Sequence, residues 1–392
     1  MPWYGPGTAC DGSFRRDVRE ENHLPRLRVG LVAPPWVPVP PPLYGGTELV
    51  IDTLARGLVA AGHEVVLFAT GDSTCPVPLL WAYPEALGTT GSAEAELDHV
   101  IRAYGALDGR VDVIHDHTLF GPWRAAARPG LTPVVTTNHG PFNEEMASRY
   151  SQIASRVPVV AISAAQAATA PEVGVAAVIH HGIDVDALPF GTGQGGYVAF
   201  LGRMNPDKGP DRAIRAARAA GVPIRLGAKM WEPAELAYFA NSVEPLLGDD
   251  AVYVGEVGRA DKTDLLAGAA ALLNPIRWPE PFGLVMVEAL AVGTPVIAFC
   301  EGAAPEIVRH GVNGFLCADE QAMAGAIACI GQIDRRACRA VAEEAFSTRR
   351  MVADHLVLYR DAIASWQPRG RAERHSYKRA SRQIEGSLRA DR

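Results

Sequence analysis

Short apolar runs recur along the chain, and most are followed by a polar turn containing Gly or Pro and then by a stretch with helical spacing. Runs at 27–33, 62–69, 112–115, 133–137, 159–163 and 177–179 carry the theme through the first half. Runs at 197–201, 224–229, 251–255, 269–273 and 295–299 carry it through the second. They are too short for helices and nearly continuous in apolar character, as strands covered on both faces of a parallel sheet are. Between them lie helical patterns. Val50, Leu54 and Leu58 share one face, 211–220 forms a second helix, and 284–292 forms a third that stops at Gly293. Met351, His355, Leu358, Tyr359 and Ile363 mark a last one over 346–366. Alternating strand and helix predicts an α/β protein with two doubly wound domains, 26–190 and 191–345, followed by the helix 346–366.

Length agrees, since 392 residues suffice for two domains that each bury a core. Residues 1–25 mix Gly, Pro and charge without a period and read as a flexible arm; 367–392 are basic and aperiodic and read as a disordered tail. The net charge of −7 hides this division. From Arg369 onward eight Lys or Arg stand against three Asp or Glu, so residues 1–368 carry about −12. An acidic body argues against a nucleic-acid partner. No run approaches the ~18 apolar residues of a membrane span and the first residues lack a signal-peptide pattern, so a cytoplasmic location is expected. The basic tail could attract an anionic membrane surface, but Glu144 and Glu145 follow His139 where a basic amphipathic helix would be needed for docking. The cysteines at 10, 75, 300, 317, 329 and 338 form no Cys-x-x-Cys pair and no ligand spacing, so neither a zinc nor a disulfide framework is indicated and reduced, mostly buried thiols are expected. No oligomeric state follows from the sequence.

The densest chemistry lies at 274–298. A Pro-rich loop carrying Glu280 and Phe282 ends at Gly283, and a helix begins whose second turn carries Glu288. The N–H groups of Gly283, Leu284 and Val285 lie between the two carboxylates at a helix N-terminus, where an anion is favoured. Carboxylates grip hydroxyls and repel phosphate, so the order carboxylate, anion hole, carboxylate fits sugar, diphosphate and ribose. The plain alternative is a loop Glu in solvent and a helix Glu beside a favourable dipole. Arg203 and Lys208 are five apart beyond the strand 197–201 and can close on one anionic point as a fork and a point charge. Gly45 and Gly46 sit at the first strand-to-helix turn, with Thr47 as the expected helix N-cap. His139 ends the strand 133–137, at the edge where ligands sit in parallel sheets.

Three other features invite overreading. Strand alternation places His115 and His117 on one face and Asp116 on the other, so His115-Asp116-His117 is a poor metal set and suits a cleft lining better. The Asp184-Val-Asp186 triplet lies in the segment joining the domains and lacks the context of a metal motif. Residues 191–196 satisfy Gly-x-Gly-x-x-Gly, but the strand follows the motif instead of preceding it, which reads as a flexible hinge and not a dinucleotide fingerprint.

Glu280-x7-Glu288, with Pro-Phe-Gly-Leu between and Glu-Ala-Leu-Ala-x-Gly-Thr-Pro-Val from Glu288 onward, resembles the signature of the retaining glycosyltransferases of family four. The resemblance continues through Leu201-Gly-Arg203-Met-Asn-Pro-Asp-Lys208-Gly, Tyr44-Gly45-Gly46-Thr-Glu48 and Thr137-Asn-His139-Gly, in the family's order, over roughly 26–366. It implies the GT-B fold, two Rossmann-like domains across a cleft with the first on the acceptor side and the second on the donor side, and a C-terminal helix crossing back to the first domain. It implies retaining transfer from a nucleotide diphosphate sugar, UDP ahead of GDP or ADP, to a hydroxyl on a small molecule, glycan or lipid-linked acceptor, with no metal and no cofactor. Glu280, His139, Arg203 and Lys208 would then be catalytic. Gly45, Gly46, Arg203, Lys208, Glu280, Phe282, Gly283, Leu284, Val285 and Glu288 would bind the donor. His181 departs from the pattern, standing where Asn is common. A sugar-nucleotide epimerase or phosphorylase on the same fold, and a binding protein without turnover, are the alternatives; a full leaving-group clamp speaks for turnover. Front-face displacement and a covalent route through a carboxylate both stay open.

Overall fold

The computed structural model describes residues 25–43, 45–88, 92–128 and 130–367. The expected N-terminal arm, apart from its last residue, and the expected basic tail, apart from Gln367, lie outside the described residues, as do Cys10 and Tyr44.

The first sheet contains β1 (Arg28–Val32), β2 (Glu64–Ala69), β3 (Leu79–Trp81), β4 (Val113–Asp116), β5 (Val134–Thr137), β6 (Val159–Ala161) and β7 (Ala177–Val178), in the order β3-β2-β1-β4-β5-β6-β7. The second contains β8 (Val198–Arg203), β9 (Ile224–Lys229), β10 (Ala251–Gly255), β11 (Leu272–Asn274), β12 (Val296–Phe299) and β13 (Gly314–Cys317), in the order β10-β9-β8-β11-β12-β13. Every pairing within both sheets is parallel. Helices cover both faces of each sheet, and the apolar strand residues face core on each side. Each sheet reverses its winding beside its first strand, between β1 and β4 and between β8 and β11. Loops leaving adjacent strands diverge there and open a crevice at the carboxyl edge.

β3 and β13 have no counterpart in the sequence expectations. β3 is a three-residue edge strand whose Leu80 and Trp81 are exposed, so no buried run announces it. β13 starts at Gly314, which reads in sequence as part of an Asn-Gly turn. A Cβ at Gly314 would lie 1.8 Å from the Val296 carbonyl oxygen, so only glycine lets this strand pair with β12.

Two local expectations are corrected. The helix Gly46–Ala60 starts two residues earlier than a Thr47 N-cap would set it, with Gly45 as its N-cap and no side-chain cap. A Cβ at Gly45 would meet Pro41 at 2.7 Å. The Gly-rich segment after 190 is pinned and not a free hinge. Gly191 N donates to Val292 O, Gly193 N to Ala267 O and Gly195 N to Gly268 O, while Arg335 donates to Gly191 O. A Cβ at Gly191 would come within 2.4 Å of the Ala267 carbonyl oxygen, so the glycines serve close packing against the second domain.

The C-terminal helix Thr348–Ser365 returns to the first domain and lies on Gly46–Ala60. Gly57 permits the approach, because a Cβ there would sit 2.5 Å from Thr348 Cγ2 and 2.7 Å from Val352 Cγ2. Met351, Val352, Leu356 and Tyr359 join the core over β1 and β2, each contributing on the order of 1.5–3 kcal/mol. Among the described residues no helix is long and apolar enough to cross a membrane.

Candidate active site

The two crevices face one another, and a cavity of about 340 Å³ lies between them. That volume is at the lower end of the range for small-molecule sites. Its C-terminal wall is built from the carboxyl ends of β8, β9, β10 and β11 and from the start of the helix Leu284–Ala291; its N-terminal wall comes from the Gly45 turn and the loops after β5, β6 and β7.

Gly283 sits at φ 103°, the left-handed region, and turns the chain from the loop into the helix. The N–H end of Leu284–Ala291 therefore opens into the cavity, and Gly283, Leu284 and Val285 all line it. Glu280 and Glu288 line it on either side. The Glu280 loop is clamped from behind: Ala303 N donates to Glu280 O at 3.0 Å, and a Cβ at Gly302 would lie 2.4 Å from Glu280 backbone atoms. Each carboxylate holds a lysine. Lys208 Nζ donates to Glu280 Oε2 at 2.6 Å, and Lys262 Nζ donates to Glu288 Oε1 at 2.5 Å. Both pairs are largely withdrawn from solvent, so neither is a solvent-screened surface pair of little energetic worth.

Arg203 behaves differently from expectation. Its Nε donates to Glu235 Oε1 and its Nη2 to Glu232 Oε1, both at 2.7 Å, and it does not line the cavity. Arg203 and Lys208 therefore do not converge on one point here. The physical reason is that Glu232 and Glu235, at the start of the helix Pro233–Tyr238 after β9, offer the guanidinium two carboxylates at hydrogen-bond distance. Beside Arg203 in the sheet register stands Lys229, which does line the cavity. Its ammonium lies 3.8 Å from the Trp231 ring centroid, and burial followed by the Arg203 charge lowers its pKa.

On the opposite wall, Gly45 and Gly46 bring backbone to the cavity, and Gly46 faces Leu284 closely enough that a Cβ would touch its Cδ1 at 3.4 Å. Behind them Glu48 is buried, which pushes its carboxyl up to about 7. His139 lines the wall with His181 stacked on it, ring centroids 5.2 Å apart. His139 Nε2 and His117 Nδ1 share a hydrogen bond of 2.9 Å. Burial, with the neighbouring His355 adding to it, brings the His139 imidazole down to about 3, so the ring is neutral at physiological pH. His115 bonds Tyr359 and Thr137 on the same side, whereas Asp116 turns to Tyr104 and Thr118 on the other, as alternation requires. Among the described residues no group of three or more His, Cys, Asp or Glu is arranged to hold a metal.

The cavity thus gathers Glu280, Glu288, Lys208, His139, Phe282, Gly283, Leu284, Val285, Gly45 and Gly46 from four separate stretches of sequence, and leaves Arg203 outside. Sequence reasoning passed over Lys229, Lys262 and Glu256, which also line it. A signal existed. Lysine occurs at only four positions, 208, 229, 262 and 378, in a chain whose other cations are arginine, and the first three all face this cavity. An ammonium is a compact point charge where a guanidinium is a planar fork, so lysines gathered at one place in an arginine-rich chain single that place out.

Residues 44–187 match the family model described as Glycosyltransferase Family 4, and residues 192–343 match the one described as Glycosyl transferases group 1. Among curated relatives, the D-inositol 3-phosphate glycosyltransferase of Mycobacterium avium (strain 104) is 31% identical over 223 residues, covering 53% of this chain and 50% of the relative. That of Mycobacterium tuberculosis (strain F11) is 31% identical over 215 residues, covering 48% and 44%. The chain spans about half the length of the curated relatives it matches. A solved glycosyltransferase involved in avilamycin A biosynthesis is 26% identical with a TM-score of 0.65, covering 87% of this chain and 99% of that one. Sucrose-phosphate synthase from Thermosynechococcus elongatus shares the fold at 20% identity and a TM-score of 0.72, covering 87% and 100%. Anabaena HepE, in complex with UDP and glucose, shares it at 20% and 0.67, covering 86% and 100%.

Proposed function

The chain belongs to glycosyltransferase family four and has the GT-B architecture, and from that premise we propose that it transfers a sugar, with retention, from a nucleotide diphosphate sugar to a hydroxyl acceptor. One observation carries the proposal: two carboxylates, each held by a lysine, flank an open helix N-terminus inside a single interdomain cavity. The donor lies along that line with its sugar at Glu280 and Phe282, its diphosphate at the N–H groups of Gly283, Leu284 and Val285, and its ribose at Glu288. UDP is the nucleotide proposed first, with GDP and ADP behind; a neighbour of the same fold holds UDP and glucose.

The residues have distinct work. Sugar hydroxyls entering beside Glu280 displace Lys208, whose ammonium then turns to the diphosphate that gains charge as the glycosidic bond breaks. Ribose hydroxyls entering at Glu288 release Lys262 in the same way. Preorganised cations and backbone N–H groups that meet charge only as it develops lower the barrier without a metal. Arg203 supplies a second cation once it gives up Glu232, the more exposed of its two partners. His139, neutral and held by His117, meets the sugar as a hydrogen-bonding ring and not as a charge. In front-face displacement the leaving phosphate accepts the proton of the acceptor hydroxyl, so no base is required on the N-terminal wall.

Calorimetric titration with UDP, GDP and ADP, followed by incubation with the matching sugar nucleotides and a panel of hydroxyl acceptors, tests the proposal. NDP release that depends on the acceptor, with the anomeric configuration kept in the product, is expected. Product formed only with inorganic phosphate would make the chain a phosphorylase, and binding without release under any acceptor would make it a sensor.

A further inference from the structure

One connection between the domains is polar, and it ends at the cleft. On the C-terminal side, Glu306 lies in the short helix Ala304–Ile307 that follows β12. Its carboxylate crosses to the first domain and takes three hydrogen bonds there. Ala164 N donates to Oε2 at 2.9 Å, Ala165 N donates to Oε1 at 2.7 Å, and Oε2 lies 2.7 Å from His180 Nε2. Burial works against this carboxylate, but the hydrogen bonds from His180, Ala165 and Ala164 prevail and its pKa falls below the ordinary range.

Ala164 and Ala165 open the helix Ala164–Ala168, and the next residue is Gln166, only 3% exposed. Every polar atom of that side chain is used. Ile162 N donates to Oε1 at 2.7 Å, and Nε2 donates to Asn138 O at 2.9 Å and to Gly140 O at 2.6 Å. The two acceptors flank His139. Asn138 adds its own bonds across the same turn, Nδ2 to Gly140 O and Oδ1 from Gly140 N. His139 is thus presented to the cavity by a turn whose carbonyls are gripped by Gln166, on a helix whose first turn is gripped by the other domain.

We infer that Glu306 and Gln166 form an interdomain positioning relay: Glu306 senses that the C-terminal domain is seated, and Gln166 converts that seating into the placement of His139. Neither residue lines the cavity, so each acts through the turn 138–140. The inference rests on the proposed transfer chemistry only for its kinetic consequence; the mechanical link stands on the hydrogen bonds alone.

Two measurements on the full chain test it. Hydrogen exchange in wild type and Glu306→Ala reads the link directly. Faster exchange over 134–141 in the variant is expected, with Glu306→Gln, which keeps one acceptor oxygen, falling between the two; unchanged exchange over 134–141 overturns the relay whatever the enzyme does. Turnover reads its purpose. Because a misplacement of about 1 Å costs on the order of 100-fold, Glu306→Ala and Gln166→Met should each lower kcat about 10- to 100-fold. Their NDP Kd should stay within about twofold of wild type, since the nucleotide rests on the other wall. In a relay the double variant is little worse than the worse single one; a loss equal to the product of the single losses overturns it. If Gln166→Met does not fold, as a missing NDP titration and thermal transition would show, the Glu306 pair still decides by exchange and by its kcat. A wild type that binds no NDP condemns the proposed function, and the exchange result still decides the relay.

Discussion

The two walls of the cavity differ in chemical kind. The C-terminal wall presents Lys208, Lys229, Lys262, Glu256, Glu280 and Glu288 together with a helix N-terminus, and its charges are organised into pairs. The N-terminal wall presents Leu43, Gly45, Gly46, Thr47, Leu49, His139, Ile162 and His181, with no Lys, Arg, Asp or Glu side chain among them. Its titratable groups are histidines driven neutral by burial. Charge belongs where a diphosphate must be held and released; a neutral wall suits a partner that arrives as an alcohol.

Acid is the strongest way to break the contrast, because it would charge the neutral side. His99 and His355 are held at about 4 and His139 at about 3 by burial, and burial keeps His115, His117 and His181 well below their ordinary value. The unfolded chain protonates all six near pH 6.5, so folding stability is full above that and falls as pH drops toward 4. Burial raises Glu48 to about 7 and Asp116 to about 6, and raises Glu96; these keep protons that the unfolded chain has released, and so oppose the fall. The six histidines outnumber the three acids, so the net effect of acid below pH 6.5 is a loss of stability. Thermal melts at pH 7.0, 6.0 and 5.5 should show the midpoint dropping steeply; a flat midpoint means these histidines are not neutral in the fold.

Next in size is the removal of one charge from the other wall. Lys208→Ala should lower kcat by about 100- to 1,000-fold with a smaller change in donor Kd, as loss of a group that meets developing charge does. Arg203→Ala should cost less, because Glu232 and Glu235 compete for it. A change confined to KM for Lys208→Ala would show that the ammonium holds ground state and transition state alike.

The two carboxylates sharpen the comparison within the charged wall. Glu288→Gln should weaken free NDP and NDP-sugar by similar factors, whereas Glu280→Gln should spare NDP and depress transfer. A hydrogen bond to a charged group is worth ~1.5–3 kcal/mol, so the losses should be about 10- to 100-fold. Calorimetry with NDP on both variants decides; the reverse outcome would turn the donor end for end in the cavity. The smallest expected effect is none: EDTA should leave transfer intact, since lysines and backbone N–H groups carry the diphosphate. Activity lost to EDTA and restored by magnesium would place a cation on the charged wall.

The parallel sheets were legible because their strands are apolar on both faces, and the core of the cavity was legible because Glu280, Gly283 and Glu288 sit close in sequence around one helix start. What escaped has physical causes. β3 escaped because an edge strand with exposed Leu80 and Trp81 has no buried run to display. The state of Arg203 escaped because its partners, Glu232 and Glu235, are some thirty residues away on another strand's loop. The pinning of 191–196 escaped because glycine looks the same whether it serves freedom or close contact, and only the neighbouring Ala267 carbonyl distinguishes them. Lys262 escaped because nothing local marks it; its meaning comes from Glu288, 26 residues later.

The return of the C-terminal helix to the first domain has a kinematic consequence. The chain passes between the domains twice, once after Ile183 and again before Thr348, and the two passages are tied where Ile183 N donates to Phe346 O and Thr348 N donates to Ile183 O. Two bodies joined by one thread can twist about it in any sense; joined by two threads laced together, they keep little more than the rotation that opens and closes the gap between them. The same lacing orders assembly on the ribosome. Met351, Val352, Leu356 and Tyr359 complete a core that begins at Leu27, so the first domain to be synthesised is the last to be finished.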